Sequence, residues 1–257
     1  MGGSVILENR EFYINDDGVR LHAKLDFPAE EKDKYPLVIV IHGFTGHMEE
    51  EHIVGVSRAM NEIGFATLRA EMYGHGGSDG AFHDHTLFKW IGNAMAVTDY
   101  ARNLDFVSDL YLCGHSQGGL LTMLIGGMEH DVFRAIIPLS PASMIPANAR
   151  RGELLGQTFD PDHIPDELES WDGLTLGGNY IRAAQMLHIE DAIRRFTNPV
   201  LLVHGSADEA VPLACSEEAA EAYKDAKLVV IPDDLHCYDY HLDMVEKAVQ
   251  DFLLSLD

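Results

Sequence analysis

The sequence predicts an α/β fold built on a doubly wound, mostly parallel sheet. Short apolar runs alternate with helical patterns along most of the chain. Runs such as "YPLVIVIHGF" are continuously apolar and β-branched, the mark of a strand covered on both faces. Ahead of them, "EFYINDDGVRLHAKLDFP" reads as a hairpin turning at Asp16-Asp17-Gly18, which would add antiparallel strands at one edge.

The elements follow in order. After "YPLVIVIHGF" a helix is expected over about Glu50 to Ile63, stopped by Gly64. "FATLRAEMYG" is the next strand, and a helix spans roughly Thr86 to Leu104. "DLYLCGHS" is a strand, "SQGGLLTMLIGGME" a helix and "FRAIIPLSP" a strand. Further on, "PVLLVHGSAD" and "AKLVVIPDD" are strands separated by a helix near Ser216 to Tyr223. A last helix runs from about Tyr240 to Leu254 and takes in His241. One segment breaks this rhythm. Residues 142–198 show prolines, aromatic residues and short helical patterns but no clear strand. They are expected to form a cap insertion over the carboxyl ends of the strands, where ligands bind in open α/β sheets. Residues 1–141 and 199–257 would then form the core.

Composition bounds the function. With 257 residues, 46% of them hydrophobic, the chain suits one domain with a sizeable core. The net charge of −24 repels nucleic acid phosphates and anionic lipid, so neither is an expected partner. No cationic, apolar leader opens the sequence, and no run approaches a membrane span of roughly 18 apolar residues. Cys113, Cys215 and Cys237 are odd in number and lack metal spacing, which suits cytoplasmic thiols. The expected partner is a small-molecule ester, with a homodimer left open.

The chemistry concentrates at Gly114-His115-Ser116-Gln117-Gly118, where a strand must turn sharply into a helix. Such a turn lifts the central side chain clear and crowds its neighbours, so the flanking positions must lack bulk. This is the G-x-S-x-G nucleophile elbow, and Ser116 is the candidate nucleophile. The turn also aims the Gln117 backbone N–H at the same space. A serine near its free pKa needs a base held by a third group. In this architecture the chain order is serine, acid, histidine. Asp208 ends "LLVHGSADEAVP" and His236 ends "LVVIPDDLHCYDYH", so these are the acid and the base. Glu209 should point elsewhere, and Asp233 and Asp234 read as turn formers. The loop in "VIVIHGFTGHME" offers the Phe44 N–H as second oxyanion donor, with Gly43 allowing its tight exit and His42 bracing it.

Other clusters weigh less. His83-Asp84-His85 lacks the partner spacing of a zinc motif, and no metal is expected. "GHGGSDG" has the glycines of a phosphate loop but neither its lysine nor a full dinucleotide fingerprint. The chemistry needs no cofactor.

From "IHGFTGH" through "RAEMYGHGGSDG", "GHSQGG" and "HGSADEAVP" to "LHCYDYH", the chain resembles the α/β-hydrolase superfamily over nearly its whole length. The stretch "GQTFDPDHIPDELESWDGLTLGGNYIRAAQ" is similar to the cap of bacterial feruloyl (cinnamoyl) esterases. That resemblance implies an α/β-hydrolase fold and hydrolysis of hydroxycinnamate esters through an acyl-enzyme. It implies that Tyr180 binds the phenolic hydroxyl, with Gln157 as a polar partner and Trp171 as an aromatic wall. Where some relatives carry an aspartate early in the insertion, this chain has Asn148. The alternatives are a general short-acyl carboxylesterase, a monoacylglycerol lipase-like hydrolase, or a binding protein that keeps the fold without catalysis.

Overall fold

The computed structural model describes residues 9–170 and 173–256. The hairpin pairs β1 (Arg10–Asp16) with β2 (Val19–Asp26), Asp16 opposite Val19. Asp17 and Gly18 turn with φ of 46° and 93°, the left-handed pair that matches strand twist in a two-residue loop. Strands and helices then alternate: β3 (Tyr35–Ile41), α1 (Glu51–Glu62), β4 (Ala66–Ala70), α2 (Leu87–Arg102), β5 (Val107–His115), α3 (Gln117–Met128) and β6 (Phe133–Leu139). Gly64, at φ 95°, follows the end of α1. Thr86 caps α2, its hydroxyl accepting the Lys89 N–H at 3.1 Å.

Residues 142–198 hold α4 (Ile145–Arg151), β7 (Glu153–Leu154), β8 (Gln157–Thr158), β9 (Glu167–Glu169), β10 (Thr175–Gly177), α5 (Asn179–Gln185) and α6 (Ile189–Arg195). The expectation of no strand here is corrected. β7 pairs β8, and β9 pairs β10, each antiparallel. Strands of two or three residues are too short to show alternation in sequence. The chain closes with β11 (Val200–Gly205), α7 (Ala214–Ala222), β12 (Ala226–Ile231) and α8 (Leu242–Leu254). His241 stands at the cap position of α8, not within it.

The main sheet runs β1-β2-β4-β3-β5-β6-β11-β12. Only the pairings β1/β2 and β2/β4 are antiparallel. In β3, Leu37, Ile39 and Ile41 face the cluster formed with α2, α3 and α7, while Val38 and Val40 face the cluster formed with α1 and α8. Both faces are therefore covered, which accounts for the unbroken apolar run. α3 is buried along Gln117–Gly127 and carries no polar face. Among the described residues no helix is long and apolar enough to cross a membrane.

Candidate active site

Ser116 sits between β5 and α3 with φ 58° and ψ −116°, a conformation that costs a non-glycine residue of order 1–3 kcal/mol. The surrounding packing enforces it. The Ser116 N–H donates to Leu139 O at 2.9 Å, and its own carbonyl accepts the N–H groups of Leu120 and Ala142 at 3.0 Å each. A Cβ on Gly118 would lie 2.4 Å from Ile41 O, and one on Gly114 would lie 2.3 Å from Gly118 O. The strand, the helix and the loop after β3 thus converge where only glycine fits. Gly43 brings that loop within reach, since a Cβ there would meet Ser116 Cβ at 3.3 Å. Gln117 opens α3, so its N–H has no acceptor within the helix.

Phe44, whose N–H is the other expected donor, is held from behind. His42 accepts the Met72 N–H on Nε2 at 3.0 Å, so its Nδ1 carries the proton and donates to Gly43 O at 2.8 Å. Burial, reinforced by the His75 ring, pushes the His42 pKa down to about 3, and the ring stays neutral. His75 Nε2 contacts Phe44 O. The expected bracing by His42 is present.

Asp208 and His236 meet at the carboxyl ends of β11 and β12. Asp208 Oδ2 accepts from His236 Nδ1 at 2.7 Å. Its Oδ1 accepts the N–H groups of Ala210 and Val211 at 2.9 and 2.8 Å. The side chain is buried, which raises its pKa, but His204, His236 and the Val211 N–H outweigh burial and hold it well below the usual carboxylate range. His236 keeps 21% of its side chain exposed. It lines one cavity of about 930 Å³ with Ser116, Gln117 and Phe44.

Sequence reasoning missed several residues that hold these groups. His204 accepts a hydrogen bond from the Ser216 hydroxyl on Nδ1 at 2.7 Å and shares its Nε2–H between Val211 O at 3.0 Å and Asp208 Oδ2 at 3.3 Å. Asp234 does more than turn the chain. It is fully buried and accepts the N–H groups of Leu235, Tyr240 and His241, which closes the loop that carries His236. Tyr238, at φ 61°, donates to Val203 O at 3.1 Å and accepts from Ser140 at 2.9 Å. His115 donates from Nε2 to His236 O at 2.8 Å and accepts from His52 at 3.1 Å. No local sequence signal separates these from polar residues at the surface.

The residues assigned to the acyl pocket are distributed as follows. Tyr180 is 1% exposed, and its hydroxyl donates to Gln117 Oε1 at 2.5 Å, directly beside the elbow. Gln117 Nε2 is buried with no partner among the described residues. Gln157 and Asn148 line the same cavity. Gln157 donates to Glu169 O at 2.5 Å, and Asn148 Oδ1 accepts from Arg151. Trp171 lies outside the described residues. Glu209, expected to point elsewhere, lines the cavity too.

His83 bonds Asp84 and Glu167. The glycine loop after β4 does wrap an anion, but it is the chain's own carboxylate. Glu71 Oε2 accepts the Gly77 N–H at 2.6 Å and contacts His22 at 2.8 Å.

The chain is similar to known hydrolases in sequence and in fold. The serine aminopeptidase S33 family matches residues 32–165, and a TAP-like protein family matches residues 182–257. Est1E from Butyrivibrio proteoclasticus, solved with ferulic acid bound, is 59% identical over 95% of this chain and 98% of its own, with a TM-score of 0.94. Mouse alpha/beta hydrolase domain-containing protein 10 shares the fold at 20% identity, TM-score 0.78, over 96% of this chain and 100% of its own. Among curated proteins, mouse mitochondrial palmitoyl-protein thioesterase ABHD10 is 25% identical over 202 residues, 74% of this chain. The chain spans 64% of that relative's length.

Proposed function

The chain belongs to the serine aminopeptidase S33 family of α/β-hydrolases, and from that premise we propose that it is a serine carboxylesterase acting on hydroxycinnamate esters. One observation carries the substrate class: Est1E, 59% identical over 95% of this chain, was solved with ferulic acid bound. A cavity of about 930 Å³ that joins Ser116 to Met144, Leu154 and Tyr180 supports it, because a planar aromatic acid suits a pocket with apolar surface beside polar groups that can orient it.

In this reading Ser116 is the nucleophile, His236 the base and Asp208 the acid that orients it. His236 takes the Ser116 proton as the oxygen attacks the ester carbonyl. Asp208, held ionised by its hydrogen bonds, stabilises the imidazolium that forms. The N–H groups of Phe44 and Gln117 stabilise the oxyanion, each contributing about 3 kcal/mol. His236 then protonates the leaving alcohol. A water activated by the same ring attacks the acyl-enzyme and releases the acid.

Residues 142–198 act as the cap over a core of 1–141 and 199–257. Tyr180, Gln157, Asn148 and Trp171 read the acid. Cytoplasmic action is part of this reading, supported by three free thiols. Recovery of the enzyme from unlysed culture supernatant would overturn that part. The deciding test is kcat/KM for methyl ferulate, methyl cinnamate and a butyrate ester side by side. A ferulate preference of tenfold or more is expected. A butyrate preference would leave a general carboxylesterase.

A further inference from the structure

Beside Ser116 lies a cluster that takes no chemical step in the esterase mechanism, although His115 holds the His236 carbonyl. His52 on α1, His115 at the end of β5 and Cys237 just after His236 place one ring nitrogen from each histidine and the Cys237 Sγ within 4.8 Å of one another. The three come from distant parts of the sequence, so no spacing motif announces them. His52 Nε2 and His115 Nδ1 are 3.1 Å apart. Two nitrogens bound tetrahedrally to zinc at its usual bond length are separated by about 3.3 Å. The pair is therefore at ligand spacing before any metal arrives, and Cys237 supplies the third, soft donor. Both histidines are buried, and Cys237 is half-buried. His115 and Cys237 also line the active-site cavity, so a fourth position can be filled from that side by water.

We propose that His52, His115 and Cys237 form an inhibitory site for a borderline-soft divalent metal of the zinc class. Imidazole and thiolate select such ions over magnesium or calcium, which prefer oxygen. Binding replaces a hydrogen bond with two coordinate bonds. The His52 Nε2 proton moves to Nδ1 through solvent, and the Cys237 thiol loses its proton to solvent as the sulfur–metal bond forms. Nothing is oxidised or reduced.

Inhibition follows from position. The His115 and His236 rings lie 4.6 Å apart between centroids, and His115 holds His236 through its carbonyl. A divalent ion on His115 brings fixed positive charge beside a ring that must become positive during the reaction, which raises that barrier. It also pulls on Cys237, the next residue along.

The test uses the intact protein with zinc chloride and cobalt chloride. One equivalent of zinc should bind, with esterase activity falling tenfold or more and returning on addition of EDTA. Magnesium should do neither. The cobalt adduct should show a thiolate-to-metal charge-transfer band in the near ultraviolet, absent from Cys237→Ser. The zinc concentration for half-inhibition should rise at least tenfold in Cys237→Ser and in His52→Gln, each measured against its own metal-free rate. With a net charge of −24, the surface will attract cations unspecifically. Zinc binding without the sulfur band, or inhibition unchanged in both variants, would therefore overturn the site. So would the absence of binding.

Discussion

The elbow end of the sheet and the segment 142–198 hold their side chains by different means. At the elbow, backbone fixes the site. Ser116 is tied by three main-chain hydrogen bonds, and Asp208 by two N–H groups of its own turn. The glycines there leave no room for a methyl group. In the insertion, two-stranded sheets of two or three residues and seven-residue helices carry the chain. There Asn148 and Gln157 are half-exposed side chains that bond Arg151 and Glu169. A scaffold fixed by main chain can position a reacting atom. A wall made of side chains on short elements can change its shape between substrates without disturbing the chemistry.

The strongest way to break this contrast is to remove the nucleophile. Ser116→Ala should lower kcat by about 10⁴-fold or more while the thermal midpoint stays within a few degrees. Alanine suffers the same positive φ, so the fold bears no new strain. Activity near the wild-type level would mean that the elbow serves some other purpose.

Glycine substitutions sharpen the comparison. A Cβ on Gly118 would meet Ile41 O at 2.4 Å and His42 O at 2.5 Å, both backbone atoms. Gly118→Ala should cost about 3 kcal/mol in denaturant unfolding. Gly156, between β7 and β8, has φ 73° and nothing within 4 Å of its added Cβ. There Gly156→Ala should cost only the conformational strain, about 1 kcal/mol. Equal costs would show that the insertion is packed as tightly as the core.

Acid should act on the two regions unequally. His42 and His85 are buried beneath the oxyanion loop, and burial pushes both down to about 3. Unfolded histidine titrates near 6.5. Between those values the unfolded chain takes up protons that the folded chain refuses, so stability is complete above 6.5 and falls as pH drops. From pH 7 to 5.5 the two together should cost about 2 kcal/mol. Asp208 adds nothing in that window, because the stability from its depressed pKa is lost only below the unfolded carboxylate range near 4. In the insertion, His163 and His188 are exposed. Denaturant unfolding at the two pH values measures the difference, and a flat profile would contradict the neutral state of the buried rings.

How legible each region was in the sequence follows the same division. The central strands of the main sheet announced themselves because both faces are buried, and the elbow because its glycines are imposed by backbone contact. Ser116, Asp208 and His236 stood where chain order and strand ends put them. The residues behind them did not show. His204, Asp234 and His52 are polar groups buried at tertiary junctions, and nothing local separates them from surface polars. In the insertion, two-residue strands carry no period to read. Its wall residues came from resemblance, since no periodicity marks a pocket.

Tyr180 joins the two regions, and its substitution has the smallest effect but separates two roles. Its hydroxyl proton is committed to Gln117 Oε1 at 2.5 Å, leaving a lone pair to accept from a substrate. If it reads the phenolic hydroxyl, Tyr180→Phe removes a contact that only ferulate makes. The kcat/KM for methyl ferulate should then fall about fivefold, with methyl cinnamate little changed, in keeping with one hydrogen bond of about 1 kcal/mol. If it serves instead to position Gln117 beside the nucleophile, both esters should fall together, because the loss then lies in the transition state they share. Gln117 is buried and would keep an unpaired oxygen as well as its unpartnered Nε2, so lower stability is expected in either case and only the ester comparison separates the two roles. A cinnamate rate that holds while ferulate falls would place acid recognition on the same residue that touches the elbow, and so tie the adaptable wall to the fixed site.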